Sequence, residues 1–403
     1  MIRRKIRTIL LIFMIISTAC NSNPTTDHQF DVNKMLTFAM SQYRKAVNTL
    51  TDTTRIPTNG NADGTWIQKE TSDWVSGFFA GILWDFYEYT NNSFWEKQAR
   101  RWNAALEKEK FNTETHDLGF MLYNSFGNGY RLTKDENYKA ILLQGAESLI
   151  TRFNPNVGTI MSWNSIPENH LTIIDNMMNL EYLCWATKVS GDRKYLDIAT
   201  SHANVTLENC FREDGSSYHV INYDPQTGKV KEKKTKQGYS NESSWARGQA
   251  WGGYGYTMMY RETTDERYLE IARKTFDRFI ERLPEDVIPY WDFDAPNIPN
   301  ESRESSAAAI AASGLLELST HVKNTVDQKR YFDTAVNLLR ALSTDEYLAT
   351  SHQYQCILLH SNGSVPEGAN VDVNFTYADY YYVEALLRLK KLTEGKSLFN
   401  DEP

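Results

Sequence analysis

Two segments place an acidic side chain at the start of an apolar stretch, where a packed helix would have no need of it. HDLGFMLY carries Asp117, and IIDNMMNL carries Asp175. A carboxyl group at the edge of an apolar environment resists ionisation, so it can keep the proton that a general acid needs near neutral pH. A lone Asp at such a position usually caps a helix. Two of them, one beside His116 and the other beside Asn176, favour a shared catalytic site.

Further polar and aromatic residues stand at the starts of other apolar stretches. They are Trp74, Trp245, Arg247, Gln249, Trp251 and the run Arg303–Ser306. If these stretches are parallel helices in a ring, their starts meet on one concave face, where free backbone N–H groups also favour an anionic ligand. Aromatic rings, a cation and a pair of carboxyls are the components of a site for an acidic sugar.

Structural explanations compete with each of these assignments. His116 alone is typical of a buried structural histidine, and Arg247 could pair with Glu242 or another acid. The run KVKEKKTK is typical of a solvated hairpin face. The glycines of GQAWGGYGYT favour close helix packing, since no strand precedes them as in a phosphate-binding loop. The chain has no HExxH, Walker, EF-hand or nucleophile-elbow motif, so the sequence gives no support for a metal or another cofactor.

A repeated helical hairpin is the element that would position these residues. A polar turn followed by an aromatic residue and an amphipathic stretch recurs at intervals of roughly 40 to 75 residues. The aromatic residues of this signal are Phe94, Tyr138, Tyr195, Tyr268 and Tyr331. Four acids before the second helices, expected to serve as turn or N-cap residues, are Asp135, Asp192, Asp265 and Asp327.

The pattern predicts an all-α fold, an (α/α)6 barrel. Stretches such as SSAAAIAASGLLEL are apolar nearly all round and predict inner helices, whereas YLEIARKTFDRFIERL has one charged face and predicts an outer helix. Residues 31–403 form the single predicted domain, with its first helix (31–52) packing beside its last (376–392). An open solenoid is the alternative. The segment 216–240, with the turn signal DPQTG, predicts a β-hairpin inserted at the barrel mouth.

The N-terminus predicts export rather than fold. Residues 1–20 combine a basic start, a short apolar run and TAC, which is typical of a bacterial lipoprotein signal with lipidation at Cys20. Residues 21–30 then form a polar tether. The expectation is a periplasmic or outer-membrane-anchored protein; an ordinary signal peptide cut nearby is the alternative.

Charge and cysteine content restrict the partners. The formal net charge of −8 argues against a general nucleic-acid surface. We expect contact with a membrane only through the lipid anchor, and a monomer or weak oligomer. Cys184, Cys210 and Cys356 are scattered and odd in number, which predicts buried free thiols.

From roughly residue 35 to 392 the chain resembles the unsaturated glucuronyl hydrolases, glycoside hydrolase family 88. The stretches that carry the resemblance are HDLGF, IIDNMMNL, REDGSSYHV, KTKQGYSNESSWARGQAW, PYWDFDAP and SSAAAIAASGLLEL. The resemblance implies an (α/α)6 barrel that removes a Δ4,5-unsaturated glucuronic acid from the non-reducing end of lyase-generated oligosaccharides. It assigns catalysis to Asp175, as proton donor, and to Asp117, as the charged neighbour that raises the pKa of Asp175.

The resemblance also implies a set of substrate-binding residues. They are Trp74, His116, Trp163, His219, Lys233, Thr235, Gln237, Arg247 and Trp251. Three tryptophans (Trp74, Trp163 and Trp251) would stack on sugar rings, and Arg247 would hold an acidic or hydroxyl group. Family members that prefer sulfated fragments carry a Ser/Lys cluster, which here is replaced by LLHSNGSVPEG with Ser364 but no lysine. The sequence therefore leaves fragments of gellan, heparin, chondroitin and hyaluronan as alternative substrates.

Two other functions compete with this one. An unsaturated rhamnogalacturonyl hydrolase would apply the same hydration chemistry to pectin fragments. A surface lipoprotein that binds glycans without cleaving them would explain the N-terminus and the aromatic content, although binding alone does not require paired aspartates.

Overall fold

Twelve helices in two alternating sets build the computed structural model, which describes residues 30–61, 63–351 and 353–399. The predicted signal peptide with Cys20, and residues 21–29 of the predicted tether, lie outside the described residues. Within the described part, no helix is both long and apolar enough to cross a bilayer. The helices belong to one compact unit that begins at Val32.

The helices of the described chain run in the following order. They are α1 (Val32–Thr49), α2 (Ser76–Thr90), α3 (Ser93–Leu106), α4 (Asn128–Thr133), α5 (Glu136–Ile150), α6 (Leu180–Ser190), α7 (Lys194–Asn209), α8 (Ala246–Thr263), α9 (Glu266–Glu281), α10 (Ser305–His321), α11 (Thr325–Leu342) and α12 (Thr376–Thr393). A 3-10 turn, Glu107–Phe111, follows α3. A π-helical segment, Gly119–Gly127, leads into α4, and a 3-10 segment, Ile174–Asn179, leads into α6.

Even-numbered helices form the inner ring and odd-numbered helices the outer ring. In α10 every residue from Ser305 to Ser319 is buried, because small and apolar side chains cover all its faces. In α9 the buried residues fall on one face only, and arginines and glutamates occupy the other. The apolar patterns therefore place each helix in its layer.

The ring is closed by contacts between the first and last helices. Tyr43 on α1 donates a hydrogen bond of 3.0 Å to Asp379 on α12. Phe78 on α2 packs against Tyr380 and Tyr381 of α12, with ring centroids 5.4 and 6.0 Å apart. Because α12 contacts both α2 and α10, the predicted (α/α)6 barrel is confirmed and the open solenoid is excluded.

Seven short strands lie in the connections of the described chain. They are β1 (Ile56–Gly60), β2 (Trp66–Lys69), β3 (Phe153–Asn154), β4 (Thr159–Ile160), β5 (His170–Ile173), β6 (Val220–Tyr223) and β7 (Val230–Lys234). The predicted hairpin is β6–β7, and β5 adds a third antiparallel strand in the order β5-β6-β7. Since β5 continues directly into the segment that carries Asp175, the hairpin is fixed beside that residue.

Helix starts follow the predicted turn chemistry with one exception. Asp135 and Asp265 cap α5 and α9 by accepting backbone hydrogen bonds, and Asp192 accepts one at the start of α7. The prediction for Asp327 is wrong. Asn324 caps α11, because this helix begins before Asp327, whose carboxylate pairs with an arginine of α9 instead.

The aromatic residues of the turn signal are buried with one exception. Tyr138, Tyr195, Tyr268 and Tyr331 are all buried, whereas at the first turn the buried ring is Trp95 rather than Phe94. The predicted buried free thiols are Cys184, Cys210 and Cys356.

Candidate active site

Asp117 lies at the entrance of the π-helical segment and is held by its own loop. The Thr115 hydroxyl accepts a hydrogen bond of 3.1 Å from the Asp117 N–H and donates one of 3.0 Å to Asp117 Oδ2. The Nε2 atom of His116 lies 3.3 Å from the other carboxylate oxygen. This turn fixes the rotamer of Asp117 before any ligand arrives.

Asp175 lies on the 3-10 segment that follows β5, with one oxygen left open. A hydroxyl, Ser162 Oγ, accepts a hydrogen bond of 2.9 Å from Ile173 N and donates one of 3.1 Å to Asn176 Oδ1, so both sides of Asp175 are fixed. Asp175 Oδ2 is buried and makes no hydrogen bond within the described residues. A buried acceptor of this kind is costly unless a ligand uses it.

Both aspartates resist ionisation. Burial raises the pKa of Asp175 to about 7, against the opposing charge of Arg247. Burial also raises the pKa of Asp117 to about 7; the charge of Asp175 adds to this, and the Thr115 hydrogen bond opposes it. Sequence predicted that only Asp175 would hold a proton. The structure instead gives a pair in which either carboxyl can do so near neutrality.

His219 faces Asp175 as a neutral ring. Its Nδ1 accepts hydrogen bonds of 3.2 Å from the backbone N–H groups of Lys236 and Gln237. The hydrogen of the neutral ring is therefore on Nε2, which lies 3.9 Å from Asp175 Oδ2. Burial, with the charges of Arg247 and Lys236, lowers the pKa of His219 to about 3. His219 is thus a fixed N–H donor rather than an acid.

Two tryptophans line the site with a partly exposed ring. Trp74 stacks on Tyr377 with a centroid separation of 5.1 Å, and Trp163 meets His219 edge-on at 6.0 Å. Both are intermediate in burial, so a sugar ring could reach them. Trp251 differs. It is fully buried against Phe120, so it forms the wall behind the site and presents no stacking face.

Arg247 anchors the loop that contains Asn362 and Gly363. Its guanidinium donates hydrogen bonds of 2.7 Å to the Asn362 carbonyl and 2.9 Å to the Gly363 carbonyl. Its acidic partner is Glu304, at 3.2 Å, and not Glu242. Gln237 donates a hydrogen bond of 2.8 Å to the same Gly363 carbonyl. In this structure Arg247 and Gln237 both hold the loop, and direct contact of Arg247 with substrate stays a prediction.

The remaining predicted binding residues divide between the hairpin and the 361–369 loop. Lys233 lies over the Tyr218 ring at 5.0 Å, and Thr235 Oγ1 accepts a hydrogen bond of 2.8 Å from Gly238 N. These contacts stay within the hairpin and do not bring either residue to the aspartates. Ser364 is buried in the loop anchored by Arg247, and its hydroxyl has no hydrogen-bond partner among the described residues.

Several buried polar atoms without protein partners belong to predicted site residues. Within the described chain these atoms are His116 Nδ1, Asp175 Oδ2, His219 Nε2, Trp251 Nε1 and Ser364 Oγ. Unsatisfied buried groups are rare in native proteins. Asp175 Oδ2 and His219 Nε2, which lie 3.9 Å apart, are therefore available to a polar ligand.

Sequence reasoning missed two supports of the site. Tyr377, the ring on which Trp74 stacks, lies at the start of α12 without any charged neighbour to draw attention. Arg152 is buried between two loops and contacts only backbone carbonyls. Neither role leaves a local signal, because Tyr377 is distant in sequence from Trp74 and Arg152 also binds Thr113, 39 residues before it. Gln249, one of the polar residues at the start of α8, proves structural. It accepts from Ser217 N at 2.9 Å.

Comparison with known proteins gives one consistent result. The sequence profile of Glycosyl Hydrolase Family 88 matches residues 45–398. An unsaturated glucuronyl hydrolase of Formosa agariphila is 41% identical over 389 residues, covering 95% of this chain and 96% of that protein. One from Bacillus sp. (strain GL1) is 34% identical over 348 residues, covering 85% and 92%.

A solved structure extends the similarity to three dimensions. The crystal structure of an unsaturated glucuronyl hydrolase specific for heparin superimposes with a TM-score of 0.86 and 44% sequence identity, covering 90% of this chain and 98% of that one.

Proposed function

The chain belongs to glycosyl hydrolase family 88, and we propose that it removes Δ4,5-unsaturated glucuronic acid from the non-reducing end of lyase-generated glycosaminoglycan fragments. It is a glycosidase. The observation that carries the proposal is the buried pair Asp117 and Asp175. Both have a pKa raised to about 7, and Asp175 has an unused oxygen facing the site.

Hydration of the double bond explains why the pair is needed. The C4=C5 bond of the substrate is an enol ether, and its protonation at C4 by Asp175 leaves an oxocarbenium ion at C5. Water then attacks C5 and returns a proton to the carboxylate. The product hemiketal opens to a ketone, and the hemiacetal left at C1 releases the neighbouring sugar. Asp117, when ionised, stabilises the positive charge that develops at C5.

Neighbouring residues orient the substrate for this step. The fixed Nε2–H of His219, 3.9 Å from Asp175 Oδ2, is placed to hold a sugar hydroxyl beside the proton donor. Trp74 and Trp163 supply the partly exposed rings on which sugar rings stack. Because a relative specific for heparin is 44% identical, heparin-type disaccharides are the first substrates to test, ahead of chondroitin and hyaluronan fragments.

The proposed location of the enzyme is outside the cytoplasm. The lipoprotein-type start, with Cys20 as the lipidated residue, would hold the enzyme in the periplasm or at the outer membrane as a monomer or weak oligomer. There it would meet oligosaccharides released by lyases. Labelling cells with a radioactive fatty acid, with Cys20→Ser as control, tests the anchor.

A disaccharide panel tests the activity. The protein is incubated with unsaturated disaccharides produced by heparin, chondroitin, hyaluronan and pectin lyases, and the ultraviolet absorbance of the conjugated double bond is followed. We expect the absorbance to fall with glucuronyl substrates. Binding without any fall would favour a non-catalytic glycan-binding lipoprotein, and a fall only with pectin fragments would favour the rhamnogalacturonyl activity.

A further inference from the structure

Arg152 lies behind the aspartate pair, outside the set of residues that face the substrate. It follows α5, and its side chain is buried with a relative exposure of 6%. Its guanidinium donates to backbone carbonyls on two different loops. Nη1 reaches Thr113 O at 2.6 Å, Nε reaches Met161 O at 2.8 Å and Nη2 reaches Ser162 O at 3.2 Å.

The first loop carries Asp117, and the second is hydrogen-bonded to the segment that carries Asp175. Thr113 precedes Asp117 in the loop that enters the π-helical segment. Ser162 is the residue whose hydroxyl binds both Ile173 N and the Asn176 side chain, on either side of Asp175. One side chain therefore connects the two loops, so that a shift of either loop strains the contacts of the other.

The charge of Arg152 is not neutralised by these contacts. Carbonyl oxygens are dipoles, and the acids that act on the guanidinium do so from a distance; they are Glu114 and Asp117. Placing a full positive charge in a poorly solvated position is costly. Its position near Asp117, whose ionisation is also disfavoured, suggests an electrostatic role.

That charge acts on the groups around Asp117 in a defined direction. The ionisable groups that face Asp117 are Asp175 and Asp73, which raise its pKa, Arg152, which lowers it, and the neutral ring of His116. Arg152 also helps to lower the pKa of His116. It therefore favours an ionised Asp117 and an uncharged His116. At Asp175, burial raises the pKa to about 7 against the charge of Arg247.

We propose that Arg152 is a positioning residue that ties the loop of Asp117 to the loop supporting the Asp175 segment, and that its charge favours the ionised form of Asp117. The inference rests on the proposed function, because it concerns the ionisation of Asp117 during turnover. Since the hydrogen bonds of the guanidinium within the described chain go to backbone carbonyls, this role does not require it to touch the substrate.

Three variants separate geometry from charge. Arg152→Lys keeps the charge but not the three-way contact, and we expect kcat to fall about tenfold with an unchanged acidic limb of the pH–kcat profile. Arg152→Gln removes the charge. It should lower kcat further and move the acidic limb upward by about one pH unit, because Asp117 then ionises less readily. Ser162→Ala cuts the link to Asp175 and should resemble Arg152→Lys.

The outcomes that overturn the inference are distinct. Wild-type kcat in Arg152→Lys and Arg152→Gln would remove any role. If the acidic limb of the pH–kcat profile moves equally in Arg152→Lys and Arg152→Gln, the charge of residue 152 is irrelevant. If Arg152→Gln has a lower kcat but an unshifted acidic limb, the role of the arginine is purely structural. If circular dichroism shows that Arg152→Gln does not fold, Arg152→Lys and Ser162→Ala test the proposal. A wild-type kcat in either variant would contradict it. An inactive wild type would overturn the proposed function, whereas an active wild type with unaffected variants overturns only this inference.

Discussion

The side-chain oxygen of Asn179 accepts a hydrogen bond of 2.8 Å from the backbone N–H of Gly119. It also accepts one of 3.3 Å from Phe120 N. The contact lies two to four residues beyond Asp117 and Asp175, and it joins the π-helical segment to the 3-10 segment. The two inner elements that carry Asp117 and Asp175 are therefore bonded to each other directly beneath the site.

Replacing Gly119 with alanine should separate these elements. An added Cβ would lie 2.5 Å from Asn179 Oδ1 and 2.8 Å from the Asn179 Cα, and the backbone atom cannot move aside cheaply. We expect a loss of about 1–3 kcal/mol in the free energy of unfolding and a fall in kcat of at least tenfold in the folded protein. Urea unfolding and the absorbance assay measure the two effects. Gly252→Ala is the matched control, because its nearest neighbour is a side-chain atom at 3.3 Å.

Asp175→Asn should abolish turnover while leaving the fold intact. Asparagine fills the same space but cannot donate a proton to carbon, so kcat should fall by a factor of roughly 10²–10⁴. Asp379 is the control, since burial also raises its pKa to about 7 but its oxygens are occupied by Tyr43, Ile357 N and Leu358 N. Asp379→Asn should lower stability and keep the activity of the folded fraction. Near-normal activity in Asp175→Asn would remove Asp175 from the mechanism.

The same Asp175→Asn substitution should stabilise the protein in alkaline but not in acidic solution. Folding raises the pKa of Asp175 from 3.8 to about 7, so its contribution to stability is present in acid and is lost as the pH rises toward 7. Asparagine does not ionise and avoids that loss, giving a gain of up to about 4 kcal/mol above pH 7. Urea unfolding at pH 4.5 and pH 8 measures the difference. A gain of equal size at both values would contradict the raised pKa.

His219→Gln should slow the reaction without removing either limb of the pH–kcat profile. The ring is neutral across the working range, because its pKa is lowered to about 3, and in the proposed mechanism its Nε2–H holds a sugar hydroxyl beside Asp175. Losing this donor should lower kcat by roughly 10- to 100-fold. The profile is recorded on the preferred disaccharide. Disappearance of a limb would mean that His219 itself carries the proton.

The inner or outer position of each helix in the barrel was predictable, because it depends on the apolar pattern of that helix alone. Inner stretches such as that of α10 are apolar on every face, and outer stretches such as that of α9 are amphipathic, so the sequence alone separates them. The turn signals also located the second helix of each hairpin. The prediction that Asp327 caps α11 is wrong because Asn324 offers an equivalent capping oxygen three residues earlier. Packing decides which of two such residues caps the helix.

The positions of Asp117 and Asp175 at the helix entrances followed from the same pattern, whereas partners of the charged side chains did not. Arg247 was expected to bind substrate, but its hydrogen bonds to the carbonyls of Asn362 and Gly363, far along the chain, were not predicted. Nothing in the neighbouring sequence encodes a contact of that kind. The π-helical geometry of Gly119–Gly127 was equally hidden, because the sequence pattern distinguishes it poorly from an ordinary apolar helix.

Closure of the ring by α1 and α12 has a consequence for biosynthesis. The wall from Trp74 to Ser364 is collected from distant parts of the polypeptide, and its last inner member, α12, is translated after the other described helices. A growing chain therefore has no complete cavity in which to capture an oligosaccharide until α12 has been made. Catalysis in this architecture requires the closed ring of helices, so proteolytic cleavage that releases any one hairpin should abolish the activity.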